Sequence, residues 1–211
     1  MSTPYQDALR HGQDAVRAVI LDRAITLLVA EGSAALTVRR IAAEVGSSTK
    51  VLYTMFGGKE GLLDALYREG FARLRRAQDQ VPHGGDPLAY LTALGRTYRE
   101  RALAEPAYYR VMFEQPVPEF RPGAEALAVA RTAFDVSAAA VAACMAAGVF
   151  RPGDAHEVSK LFWAATHGAV SLELAGHFTP DEAGARYEAL MAALGRSFAA
   201  GPPTSDERPT P

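Results

Sequence analysis

With 211 residues, 49% of them apolar, the chain is long enough for one small module and one larger packed core. A net charge of −2 excludes a histone-like polycation, and a single cysteine, Cys144, excludes an internal disulfide framework. No uninterrupted apolar run reaches the ~20 residues of a membrane span, and the opening MSTPYQDALRHGQD lacks an apolar signal-peptide core, so a soluble, cytoplasmic protein without membrane contact is expected.

In chain order, residues 1–13 are polar and unpatterned and read as a flexible tail. A first helix is predicted over Ala15–Glu31, with Val16, Ile20, Ala24, Leu27 and Leu28 as its apolar stripe and Gly32 as its stop. Thr37 is a natural N-cap. Val38, Ile41, Ala42 and Val45 then follow at helical spacing, with Arg39 and Arg40 off that face. Gly46 can end this helix in a left-handed conformation, and Ser48 can cap the next. In that short third helix Leu52 and Phe56 point inward, leaving Thr49, Lys50, Tyr53 and Thr54 outward. Gly57-Gly58 breaks it and Lys59 opens a fourth helix to about Gln78.

The segment 81–87, VPHGGDP, reads as a loop and domain boundary. Beyond it the pattern is helical to about residue 199: 87–103; a short aromatic helix, 107–113; a proline-rich loop, 116–123; an alanine-rich helix, 124–147; a helix from 156 to 176, apolar nearly all round; and a last helix, 180–198. The fold class is therefore all-α. Its expected organisation is a helix-turn-helix domain with its connector helix over 14–80, a second helical bundle over 86–200, and flexible tails at 1–13 and 201–211.

Charge supports this division. Residues 1–80 carry 11 Lys+Arg against 9 Asp+Glu, and the remainder 11 against 15. Within 37–59 the bases Arg39, Arg40, Lys50 and Lys59 face one acid, Glu44. A local cationic patch on a mildly acidic body suits docking on phosphate without general stickiness.

The stretch from about Val16 to Phe71 resembles the DNA-binding domain of the tetracycline-repressor (TetR) family of bacterial transcription regulators. The residues that carry the likeness are Leu36-Thr37, Ile41-Ala42, Val45-Gly46, Ser48, Leu52-Tyr53, Phe56, Lys59-Glu60 and Leu62-Leu63. Ser47 stands where the family usually has a small aliphatic residue, Met55 where histidine is frequent, and Gly57-Gly58 where Pro-Ser is common. In the C-terminal half, Trp163, His167 and Gly168 resemble the Trp-His-Gly signature of one C-terminal subfamily.

The resemblance implies a regulator, most often a repressor, that binds a palindromic double-stranded operator as a homodimer and is released by a small-molecule effector. It makes Thr37, Tyr53 and Lys59 phosphate partners. The outward chemistry of Arg39, Thr49, Lys50 and Thr54 makes them base-reading candidates, with Ser48 as the capping member of the set. An aromatic effector pocket is expected from Tyr108, Tyr109, Met112, Phe113, Phe134, Trp163 and His167, although each also suits plain core. The dimer interface is expected at Leu172, Tyr187, Leu190, Met191, Leu194 and Phe198, a narrow seam beside an all-round apolar helix.

Other classes fare worse. Glu173 and His177 lie four apart on a helix but lack a third metal ligand. Cys144 has no activating neighbour in sequence, and no glycine-rich phosphate loop is present, so neither an enzyme nor a cofactor is expected. The rival reading is a helical interaction protein that ignores DNA.

Overall fold

The computed structural model describes residues 3–201. Among them nine α-helices follow one another: α1 (Pro4–Glu31), α2 (Val38–Glu44), α3 (Thr49–Phe56), α4 (Lys59–Gln78), α5 (Pro87–Ala104), α6 (Pro106–Phe113), α7 (Ala124–Ala146), α8 (Ala155–Leu174) and α9 (Pro180–Phe198). The pairing of Phe150 with Ala199 is an isolated antiparallel bridge, so the described chain is all-α.

Helix 1 begins eleven residues earlier than the apolar stripe predicts. Thr3 accepts from the Gln6 amide while the Gln6 side chain accepts from the Thr3 amide, a reciprocal capping box, and Pro4 opens the helix where its missing N–H costs nothing. The expected N-terminal tail is thus helical from Pro4. Val16, assigned to the buried stripe, is exposed, and Leu21 and Ile25 take its place. Of the expected C-terminal tail, residues 202–211 lie outside the described residues.

The contacts form two compact units: residues 1–73 with 105–130, and residues 74–104 with 131–211. This differs from the division expected at the 81–87 loop. By contacts, the aromatic helix α6 and the proline-rich loop after it fall in the unit of the helix-turn-helix. Tyr108, Val111 and Val117 sit in the same core as Ile20, Leu36, Ile41, Leu52, Leu62 and Leu66. A local sequence reading cannot see this, because α6 meets α1 across more than eighty residues of chain.

Polar contacts fix the same arrangement. Arg73 of α4 donates to Glu69 at 2.8 Å, to Glu105 at 2.6 Å and to Asp22 of α1 at 2.7 Å. Its guanidinium also lies 4.3 Å from the centre of the Tyr108 ring, whose hydroxyl donates to Asp22 at 3.1 Å. Burial opposes the charge on Arg73, but the hydrogen bonds it donates to Glu69 and Glu105 outweigh it, and its pKa is raised. One side chain thereby ties α1, α4 and α6 together.

In the second unit α8 packs on α9 and both pack on α5. Phe150, Phe162 and Phe198 form a ring cluster with centroids 5.8–6.2 Å apart. Arg99 of α5 makes a two-pronged pair with Glu173 of α8, at 2.6 and 2.8 Å. That pair occupies the one carboxylate considered as a metal ligand. Helix 8 is not covered all round as expected. It buries Ser159, Phe162, Thr166 and Val170 and leaves Leu161, Trp163 and Leu172 outward. By length and mean composition alone α7 passes for a membrane-crossing segment, although Glu125, Arg131 and Asp135 interrupt its apolar run. Alanine supplies much of that character, and the core helix of a soluble protein meets the same criteria.

Candidate nucleic-acid interface

The helix-turn-helix is built by caps. The Thr37 hydroxyl accepts from the Arg40 amide at 3.2 Å and starts α2. Gly46, at φ +64°, turns the chain. The Ser48 hydroxyl accepts from the Val51 amide at 3.4 Å and starts α3, and Gly57, at φ +73°, ends it in the left-handed conformation that glycine adopts without strain. Both capping hydroxyls are exposed and accept from the backbone, so each keeps its own proton to donate to a phosphate oxygen.

Helix 3 is eight residues long and buries only Leu52 and Phe56. Thr49, Lys50, Tyr53 and Thr54 are all exposed, Tyr53 at 57%. The cationic groups nearby differ in availability. Arg40 is engaged by Glu31 at 2.9 Å and Glu44 at 3.3 Å. Arg39 is exposed and has no ion-pair partner among the described residues, and the same holds for Lys50. Lys59 is half-buried, with its ammonium 3.2 Å from the Ser33 carbonyl, which uses one of its three protons and leaves two.

One contributor is not apparent from the sequence. Arg17 of α1 donates to the Met55 carbonyl at 3.5 Å, and its guanidinium lies 4.8 Å from the centre of the Phe56 ring. Burial, with the charge of Arg68 as the second cause, lowers its pKa below the usual arginine value. A cation at the last turn of α3 complements the carbonyl end of that helix and braces it on α1. Gln13, Asp14 and Arg17 of α1 and Lys50, Val51 and Thr54 of α3 border a shallow cleft of about 440 Å³, so the unpredicted turns of α1 run beside the exposed face of α3. The contact spans 38 residues, and no local pattern announces it.

Of the seven residues expected to form an effector pocket, four belong to the first unit and three to the second. Tyr108, Tyr109, Met112 and Phe113 fill the first unit. Tyr108 and Tyr109 are buried, Met112 packs where Gly70 has no side chain, and Phe113 meets the rings of Phe71 and Tyr109 at 5.5 and 5.1 Å. Phe134, Trp163 and His167 belong to the second unit. There the Phe134 and Trp163 rings meet edge to face at 6.3 Å, and His167 Nδ1 lies 3.0 Å from the Tyr98 hydroxyl.

The expected dimer seam is also largely internal. Tyr187 is buried, with its hydroxyl donating to the Gly95 carbonyl at 2.6 Å, and Met191 is buried against Gly95. Phe198 belongs to the ring cluster, Leu190 and Leu194 are half-buried, and Leu172 is exposed. The narrow stripe on α9 packs on α5 because Gly95 admits Tyr187 and Met191. The faces left wholly or partly outward are Leu161, Ala165, Gly168 and Leu172 on α8, and Ala185, Ala189 and Ala192 on α9.

Comparison with known proteins matches two segments, the second of which includes α6 and the loop after it. Residues 20–66 match the family model described as "Bacterial regulatory proteins, tetR family", and residues 91–194 match "Tetracyclin repressor-like, C-terminal domain". The HTH-type transcriptional regulator Rv1816 of Mycobacterium tuberculosis is 25% identical over 201 residues, covering 82% of this chain and 86% of the relative. Among solved structures, a protein of unknown function from Rhodococcus sp. RHA1 superposes with a TM-score of 0.74 at 28% identity, covering 87% of this chain and 95% of that one. The TetR family transcriptional regulator PfmR of Thermus thermophilus shares the fold, with a TM-score of 0.67 at 21% identity and coverage of 84% and 97%.

Proposed function

Since the chain belongs to the tetracycline-repressor family of DNA-binding transcriptional regulators and is not an enzyme, we propose that it is a cytoplasmic repressor that binds a palindromic operator as a homodimer and is released by a small, mostly apolar effector. One observation carries the reading. Helix 3 turns Thr49, Lys50, Tyr53 and Thr54 outward on a short scaffold anchored by only two buried side chains. A helix so exposed, small and cationic suits the major groove.

The roles follow from chemistry and reach. Lys50 is suited to guanine O6 and N7, and the threonines offer a hydroxyl, or a methyl against thymine. Arg39 joins them from the start of α2. Thr37, Tyr53 and Lys59 hold phosphates, and Ser48 holds the helix. The outward stripe Leu161, Ala165, Gly168, Leu172 repeats at four- and three-residue steps. That is the spacing of a helix-on-helix seam, and its small central residues permit close approach. With the exposed alanines of α9 it forms the dimer face of the proposal, while Tyr187, Met191 and Phe198 stabilise the fold within the chain. Leu190 and Leu194 flank the face. Half-sites then lie about 34 Å apart, or a multiple of that. An effector that prefers a conformer with wrongly spaced recognition helices lowers operator affinity by shifting populations through α4.

Selection of bound DNA from random duplexes tests this reading. A palindrome with two half-sites is the expected product. Recovery of no enriched sequence, with no salt-dependent retention of any duplex, leaves the interaction-protein reading in its place.

A further inference from the structure

The second unit has a small, partly open cavity of about 50 Å³ lined by α5, α7, α8, α9 and the end of α4. Most of its wall is apolar: Leu91, Leu94, Val141, Phe162, Trp163 and Met191. None of the residues lining it carries a formal charge.

Two of the lining residues each carry a buried polar atom without a protein partner. Gln78 is 3% exposed and Ser159 is 1% exposed. The Gln78 amide nitrogen donates to the Ala133 carbonyl at 3.2 Å, which fixes the amide and leaves Oε1 as an acceptor without a donor. The Ser159 hydroxyl is likewise unpartnered. Their neighbours are satisfied: the Thr166 hydroxyl lies 2.9 and 3.1 Å from the carbonyls of Phe162 and Trp163, and the Tyr98 hydroxyl meets His167. Buried orphan polar groups are uncommon because each forfeits hydration with nothing in return. Two among the residues lining one cavity mark a place where a guest is rewarded for supplying a donor and an acceptor together.

The larger groove of the same unit, about 860 Å³ beside the 81–87 loop, offers no such reward. Its Arg75 is paired with Asp79 at 2.8 Å, and its Tyr90 hydroxyl lies 2.8 Å from His83 Nε2.

We propose that the small cavity is the effector site, and that it selects an uncharged molecule with an apolar body and one hydroxyl, an alcohol or a phenol. The hydroxyl is the smallest group that does both jobs: it donates to Gln78 Oε1 and accepts from the Ser159 O–H. The absence of charged side chains from the wall disfavours carboxylates and amines. Two parts of the wall can give way to a guest larger than water. Met191 is unbranched and flexible. Trp163 lines the cavity yet is 43% exposed, so it separates the interior from solvent and stands at the entrance. The effect of this site on DNA rests on the regulator reading; binding of the guest does not.

Trp163 is the single tryptophan of the chain, so its emission reports the cavity directly. The full chain is titrated with benzyl alcohol, toluene and benzoate. Benzyl alcohol is expected to give a saturable change, with toluene and benzoate at least about fivefold weaker. Ser159→Ala and Gln78→Met should each weaken benzyl alcohol by about fivefold or more. Ser159→Ala, which removes an orphan hydroxyl, should keep or raise the melting temperature. The inference is overturned if benzyl alcohol gives no saturable change, as when the polar pair holds only water, if toluene equals it, or if both variants bind like the parent. Saturable, Ser159-dependent binding that leaves DNA affinity untouched upholds the site and refutes the effector role. DNA release by other molecules, with no binding here, does the reverse.

Discussion

Replacing Arg73 with methionine keeps much of the side chain's volume and removes its fork of donors. The loss can be built up contact by contact. Asp22 is 57% exposed and regains water cheaply, so its share is about 0.5 kcal/mol. Glu69 and Glu105 are 23% and 24% exposed and remain beside each other without their counter-charge. Each loses a charge-assisted hydrogen bond worth about 1 kcal/mol after allowance for partial exposure. The cation over the Tyr108 ring adds about 0.5 kcal/mol. The sum is about 3 kcal/mol, or about 6–12 °C in melting temperature for a chain of this size. Arg73→Lys should recover less than half, because one ammonium cannot span three carboxylates on three helices. The assay is urea unfolding followed by circular dichroism, with exposed Arg131→Met as a control expected within about 0.5 kcal/mol. A loss for Arg73→Met no larger than the control's would refute the claim that this residue locks α1, α4 and α6 together.

Further outcomes follow from single side chains. Lys50→Ala should flatten sequence preference in competition binding against selected duplexes, and Lys59→Ala should weaken all duplexes alike and reduce the slope of log K against log salt by about 1. Equal behaviour of the two variants would remove their division of labour. Gly95→Ala should cost no more than about 1 kcal/mol in thermal unfolding, because a Cβ there would stand 2.7 Å from Met191 Cε, the flexible end of a side chain that can shift, and in ordinary contact with the Tyr187 hydroxyl at 3.5 Å. Cys144 should resist an aromatic disulfide reagent at neutral pH until the chain unfolds, since burial, aided by the charge of Asp86, pushes its thiol up to about 11. The folded value lies above the unfolded one, so this contribution to stability is complete below the ordinary value of 9.0 and is lost as pH rises towards about 11.

The elements visible in the sequence are those fixed by local chemistry. Thr37, Gly46, Ser48 and Gly57 stop or start helices through their own backbone and side chains, and α2, α3 and α4 begin at the residues these signals indicate. The Thr3–Gln6 capping box is equally local, and it escaped because the polar residues after it carry no apolar stripe. What local chemistry does not disclose is which helices share a core. The aromatic run of α6 suits a ligand pocket as well as a packed interior until Asp22, Arg73 and Gly70 are brought around it. The seam of α9 suits a dimer until Gly95 opens a place for Tyr187 and Met191. In the interface, Thr49, Lys50, Tyr53 and Thr54 were legible from the period of α3, whereas Arg17 became visible only when α1 and α3 met. Gln78 and Ser159 stand on different helices, and nothing in either segment signals that both line one cavity.

The central claim is that two copies of one small cationic helix present themselves together to DNA. Sedimentation of the full chain with a duplex recovered by random selection tests it most directly. The account predicts two chains per duplex, dissociating as salt rises. A monomer that leaves every duplex free at low salt, with no small molecule added, would contradict it.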